Sequence, residues 1–219
     1  MEQIAENLWG IDAEVKVAPG VFLPLRSTIA RLSDGRLWLH SPAKFSAKDV
    51  DAINALGEVA YIVAPSTFHH LWFGNACELF PGAMKLGARG LAKKRPDLTF
   101  DGVLGECPEI DGVERVQIDG MPALNENVFV VNNSLICADL FQNLHQPKNT
   151  ASALVFRLAG TLHQVGVSRL LMTTVKDKVA FKKSVNKALD LPFQRLIPCH
   201  GDVVENAKAQ CKSAVERRL

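Results

Sequence analysis

Several common features are missing from this sequence, and each absence excludes a class of protein. None of the five cysteines forms a Cys-x-x-Cys pair, which excludes a zinc ribbon and a thioredoxin-like motif. No run approaches the ~20 consecutive apolar residues of a membrane span, and no basic segment followed by an apolar one marks a signal peptide. The scattered cysteines predict reduced, mostly buried thiols, so we expect a cytoplasmic protein.

The chain also lacks a strong charge of either sign. Its formal net charge is +2 at pH 7, and the basic residues cluster only in short runs such as Lys93, Lys94 and Arg95. We interpret such runs as solvated helix faces and expect neither a nucleic-acid partner nor a membrane partner. The 219 residues, of which 47% are hydrophobic, are enough for a single domain spanning residues 1–219 with a substantial core.

Local signals at their ends mark many of the predicted strands and helices. Asp34-Gly35 between two β-rich runs predicts a hairpin, and Ser46 with Asp49 three residues later predicts a helix with a capping box. The predicted strands are 27–32, 37–40, 59–64, 83–86, 113–118, 127–131, 134–138 and 195–198. The predicted helices are 46–57, a segment from about residue 71, and 90–94, 151–165, 178–189 and 204–217. This order indicates an α/β (α+β) protein, in outline a four-layer αββα sandwich.

Three predicted strands are each followed by groups that can bind a metal ion. These groups are His69, His70, Asp139 and His200. Ligands gather beyond the carboxyl ends of strands in α/β sheets, and imidazole with carboxylate suits zinc, iron or manganese. An alternative needs no metal: adjacent histidines point in different directions on a regular strand, Asp139 caps a helix, and His200 forms a turn with Gly201. Both interpretations remain open from the residues alone.

The order of these features resembles the metallo-β-lactamase superfamily over most of the chain. In that superfamily a hydrophobic strand delivers a His-x-His-x-Asp-His motif, whose place here is taken by the segment Pro65-Ser66-Thr67-Phe68-His69-His70. The terminal His of the motif falls on His70 and its Asp on His69. The first two His positions fall on Pro65 and Thr67, neither of which can replace an imidazole.

Two later segments resemble the remaining ligand-bearing elements of the superfamily. The segment Ser134 to Leu140 matches the strand that ends in a bridging carboxylate, here Asp139, and the segment Ile197 to Asp202 matches the element of the last His, here His200. The middle His of the superfamily has no counterpart, because Ile118 to Pro122 contains none.

The resemblance implies a four-layer sandwich of metallo-β-lactamase type with one mononuclear metal site. Its ligands would be His69, His70, Asp139 and His200, and the sequence would belong to a short branch with a Pro-Ser-x-x-His-His-Leu motif. We expect one divalent ion, zinc first and iron or manganese as alternatives. The implied activity is hydrolysis of a small-molecule ester, thioester, amide or phosphodiester. The alternatives are an inactive binding protein with a relic site and a homo-oligomer with a structural ion.

Other chemically capable residues receive simpler interpretations. We interpret His40 as a turn or supporting residue near the same edge, and we interpret His145 and His163 as structural. Cys137 and Cys199 stand next to proposed ligands, and we interpret both as small apolar fillers of the core.

Overall fold

The computed structural model describes residues 1–219, and its largest element is a seven-stranded sheet in chain order. The strands are β1 (Glu2–Ala5), β2 (Leu8–Ala18), β3 (Val21–Arg31), β4 (Leu37–His40), β5 (Val59–Ala64), β6 (Met84–Gly87) and β7 (Gly102–Val103). Strands β1 to β4 pair antiparallel, whereas β4 to β7 run parallel. The carboxyl ends of β4, β5 and β6 therefore open at one edge of the molecule.

A four-stranded sheet faces the first one. Its members are β8 (Glu114–Gln117), β9 (Asn127–Val131), β10 (Ser134–Cys137) and β13 (Arg195–Pro198), in the order β13-β10-β9-β8. The remaining strands, β11 (Gln142–Asn143) and β12 (Val165–Gly166), form a separate two-stranded ribbon. Strand β13 pairs parallel with β10, so both strands end at the same edge.

Seven helices accompany the sheets. They are α1 (Ala47–Leu56), α2 (Phe73–Leu79), α3 (Leu91–Lys94), α4 (Thr150–Ala159), α5 (Arg169–Met172), α6 (Lys178–Asp190) and α7 (Lys208–Glu216). Not one of them has both the length and the apolar character needed to cross a membrane.

Three buried clusters show how the layers pack. Trp38, Phe129 and Ile197 belong to the cluster between the two sheets. A second cluster packs α1 and α2 on the outer face of the first sheet, and a third packs α6 and α7 on the outer face of the second. The sequence of layers is therefore helix, sheet, sheet, helix, which confirms the predicted αββα sandwich.

Local signals predicted most element positions well. The capping box of Ser46 and Asp49 is present at the start of α1, and β5 has the predicted bounds. The helix predicted over 151–165 is present as α4 but is shorter, since it ends at Ala159 because Gly160 adopts a left-handed backbone with φ 77°. Helix α7 begins at Lys208 rather than at residue 204, because Val204 forms an isolated bridge with Leu196.

Candidate metal centre

The topology brings three of the predicted ligands to one edge. Cys137 at the end of β10 pairs with Pro198 at the end of β13, so Asp139 and His200 occupy equivalent positions beyond two parallel neighbours. His69 arrives from the opposite sheet, on the loop that connects β5 to α2. The two sheets thus contribute to one polar group at the edge where their strands end.

The side chains of these three residues converge closely. The two Nε2 atoms of His69 and His200 lie 3.2 Å apart. Asp139 Oδ2 lies 3.4 Å from His69 Nε2, and Asp139 Oδ1 lies 3.3 Å from His200 Nε2. Only 5%, 17% and 4% of the side chains of His69, Asp139 and His200 are exposed, so the donor atoms are largely shielded from bulk water.

Contacts at the far side of each ring fix its orientation. His200 Nδ1 lies 2.8 Å from the carbonyl oxygen of Pro24, which can only accept, so Nδ1 carries the proton and the neutral ring keeps a lone pair on Nε2. His69 Nδ1 lies 2.8 Å from Ser41 Oγ, a hydroxyl that can accept a hydrogen bond from the ring N–H in the same way. Both rings can therefore present Nε2 lone pairs to the centre, as metal-binding histidines do.

The Asp139 carboxylate supplies negative charge at the centre. Burial by itself would raise the pKa of Asp139, but His69 and His200 outweigh burial and hold this pKa well below its usual value. Its Oδ2 atom is buried and has no hydrogen-bond partner. Two imidazoles and a carboxylate with an unpartnered buried oxygen form a donor set that fits a divalent transition ion.

The architecture has close counterparts among solved structures. A DIM-1 metallo-β-lactamase exposed to ceftazidime matches with a TM-score of 0.70 at 14% identity, covering 100% of this chain and 96% of that one. A metallo-β-lactamase from Pontibacter korlensis matches with a TM-score of 0.67 at 13% identity, covering 99% and 98%.

This protein has the metallo-β-lactamase fold. A mutant flavo di-iron protein from Thermotoga maritima shares it, with a TM-score of 0.66 at 13% identity over 98% of this chain and 60% of that chain. No protein-family model and no curated protein matches the sequence. At these identities the likeness describes the fold, and the chemistry has to be argued from the residues of this chain.

Within the metallo-β-lactamase fold, His70 takes a different position from its neighbour. The Arg95 guanidinium donates to His70 Nδ1 at 2.8 Å, and the only three-residue group of metal-capable side chains is His69, Asp139 and His200. Burial, followed by the charges of Lys94 and Arg95, lowers the pKa of His70. Of the four expected ligands, the fold therefore brings together His69, Asp139 and His200, and it leaves His70 outside the group.

Glu126 is a buried residue beside the centre that the sequence prediction missed. Its Oε1 accepts hydrogen bonds from the backbone N–H groups of Ala138, Asp139 and Leu140 at 2.9, 3.0 and 3.1 Å. Burial, together with the Asp139 carboxylate, raises the pKa of Glu126 to about 8. The sequence did contain a signal for Glu126: this acidic residue directly precedes the apolar strand β9, and a charge buried there is costly unless it has partners.

His40 lies next to the centre without joining it. Its ring stacks on Trp38 at a centroid distance of 5.3 Å and meets Phe129 edge-on at 5.5 Å. Its Nδ1 lies 3.8 Å from Cys199 Sγ. Complete burial, and secondarily His69, lowers the pKa of His40 to about 3, so the ring is neutral in the folded protein.

Proposed function

We propose that this protein is a metal-dependent hydrolase with one mononuclear centre held by His69, Asp139 and His200. The observation that carries the proposal is that the donor atoms of these three residues all lie within 4.8 Å of one another. Asp139 Oδ2 supports it, because this buried carboxylate oxygen makes no hydrogen bond and its neighbour His69 Nε2, at 3.4 Å, is itself a candidate ligand. Zinc is the ion we favour, with iron and manganese as alternatives.

The residues of this chain have definable roles in such a reaction. A bound divalent ion would polarise a carbonyl or phosphoryl oxygen of the substrate and lower the pKa of water toward about 7. Asp139 supplies the negative charge that offsets the ion, while Pro24 and Ser41 hold the two rings in orientation. The surrounding burial limits water around the centre and strengthens each of these electrostatic contacts.

The burial of the site supports a small-molecule substrate. Even Asp139, the most accessible of the three side chains, is only 17% exposed, and this limited access favours a small molecule over a polymer. We propose an ester, thioester, amide or phosphodiester of low molecular weight as substrate. The names of the structural neighbours support a metal-dependent role, and the flavodiiron proteins among them are the reason to retain iron as an alternative.

We further propose that the protein acts in the cytoplasm, without a nucleic-acid or membrane partner. All five cysteines are free thiols, and Cys137, Cys199 and Cys211 are buried, as expected in a reducing compartment.

A substrate panel tests the hydrolase proposal. Chelator-treated protein, the same protein reloaded with zinc, and the Asp139→Ala variant would be assayed with ester, thioester, amide and phosphodiester substrates. Hydrolysis by the reloaded protein alone supports the proposal. Metal binding without hydrolysis of any substrate would replace it with the binding-protein alternative. Unfolding upon metal removal would favour a structural ion.

A further inference from the structure

His145 and His163 form a second pair of histidines, separate from the candidate metal centre. His145 follows β11, His163 precedes β12, and both residues are exposed. Their ring centroids lie 5.5 Å apart with the planes inclined at 70°. In the candidate centre the corresponding values for His69 and His200 are 5.0 Å and 57°. The exposed pair thus repeats the spacing of the buried pair.

The backbone holds the two segments side by side. The N–H of His163 donates to the carbonyl oxygen of Leu144 at 2.8 Å, and the N–H of Leu144 donates to the carbonyl oxygen of Thr161 at 3.1 Å. These two bonds join Leu144, the residue before His145, to the turn that carries His163. The fold therefore holds the two backbone segments side by side and places the two rings within reach of each other.

Asn143 determines which nitrogen of His145 is free. The Asn143 Nδ2 donates to the carbonyl oxygen of Asp202 at 3.1 Å, which turns Oδ1 toward His145. Oδ1 can only accept, so His145 Nε2, at 2.9 Å, is the protonated nitrogen and Nδ1 keeps its lone pair in the neutral ring. A histidine whose far nitrogen donates to a fixed oxygen is the usual arrangement of a metal ligand.

His163 has an unusual backbone for its residue type. Its φ is +56°, in the left-handed region that costs a non-glycine residue of order 1 kcal/mol. Its ring makes no hydrogen bond within the protein, so neither nitrogen is committed to another partner. Helix α4, which was expected to include His163, ends at Ala159, and the following turn directs the residue to the surface instead.

We propose that His145 and His163 together bind one divalent transition ion of the class that prefers imidazole, with copper(II), nickel(II) and zinc as members. Two imidazoles on one ion at ~2.1 Å and a tetrahedral angle place their ring centroids ~5 Å apart, close to the observed separation. No third acidic, His or Cys side chain completes this pair, so water fills the remaining positions. The site is therefore weaker and more exchangeable than the buried centre, and it binds copper(II) most tightly of these ions.

Copper(II) titration of apo-protein tests this site independently of the proposed hydrolase. The double variant His69→Ala, Asp139→Ala disables the buried centre because it leaves a single imidazole there, and we expect this variant to retain one copper(II) equivalent with a two-nitrogen signature in electron paramagnetic resonance. Adding His163→Asn should weaken that equivalent about tenfold or more, because asparagine tolerates the left-handed backbone but removes the imidazole. His145→Ala should have the same effect, and Gln164→Ala, at the exposed neighbouring position, should have none.

Equal copper(II) affinity with and without His163→Asn would overturn the proposal, as would the absence of any copper(II) equivalent in the His69→Ala, Asp139→Ala variant. Loss upon only one of the two histidine substitutions would also contradict a shared ion. If the His69→Ala, Asp139→Ala variant does not fold, the wild type is compared with His163→Asn alone, and the single substitution must remove one copper(II) equivalent. Because this readout is copper(II) at the exposed pair, it is unaffected by whether the buried centre hydrolyses anything.

Discussion

Glu126 lies directly behind Asp139, and its Oε1 accepts the Asp139 backbone N–H at 3.0 Å. The same oxygen also accepts the N–H groups of Ala138 and Leu140, so one buried carboxyl group holds the whole turn that carries the candidate ligand. Asp139 therefore projects from a segment whose backbone is fixed by a residue of the preceding strand connection. The position of a candidate metal ligand depends on a second, non-ligating acid.

Replacing Glu126 should separate its hydrogen-bonding role from its charge. Glu126→Ala leaves three buried N–H groups without a partner, and we expect a loss of about 3 kcal/mol or more in the free energy of unfolding. Because burial and Asp139 raise the pKa of Glu126 to about 8, the group is protonated at neutral pH, and Glu126→Gln should be much less damaging. Urea denaturation of both variants checks this, and equal damage would contradict the account.

Removing the Ser41 hydroxyl should weaken metal binding without removing a ligand. Ser41 Oγ contacts His69 Nδ1 at 2.8 Å and orients the ring. The residue has φ +50°, so Ser41→Gly is preferable to alanine because glycine accepts that backbone. Loss of such an outer contact typically reduces metal affinity by about 10- to 100-fold. Competition with a coloured chelator measures the affinity, and an unchanged value would show that Ser41 does not support the centre.

Acidification should destabilise the fold through His40. Its pKa is about 3 in the folded protein against 6.5 in the unfolded chain, so only the unfolded state gains a proton between those values. The contribution of His40 to the free energy of unfolding is therefore fully present above pH 6.5, and it falls by about 1.4 kcal/mol for each pH unit below that value. Glu126 acts with the opposite sign, because its folded pKa is raised.

The variant His40→Phe isolates this effect, because it keeps a ring beside Trp38 and Phe129 that cannot titrate. Urea unfolding of wild type and variant between pH 6.5 and about 5 gives two slopes, and the contribution of Glu126 cancels between them. The wild-type stability should fall more steeply toward low pH. Parallel slopes would show that His40 is already protonated in the folded protein.

Features that depend on residues close together in the sequence could be predicted, whereas features that depend on distant residues could not. The bounds of β5 and the capping box of α1 depend on neighbouring residues, and both were predicted correctly. Asp139 and His200 were predicted to lie together because each follows a strand, and the parallel pairing of β10 with β13 is what achieves it.

The missed features depend on partners distant in sequence. His70 is engaged by Arg95, 25 residues away, and no local pattern could have separated its role from that of His69. Glu126 binds backbone groups 12 to 14 residues further along the chain, across the β9–β10 hairpin. The exposure of His163 was a different kind of error, because Gly160 gave a local signal that should have ended the predicted helix.

Elemental analysis of the purified protein tests the central claim most directly. Wild type, Asp139→Ala and His70→Ala would be dialysed extensively and analysed for transition metals, with His70→Ala as the matched control beside His69. The account predicts about one tightly held equivalent in the wild type and in His70→Ala, and none in Asp139→Ala. Metal absent from all three proteins after reconstitution, or retained in Asp139→Ala, would contradict a centre built on His69, Asp139 and His200.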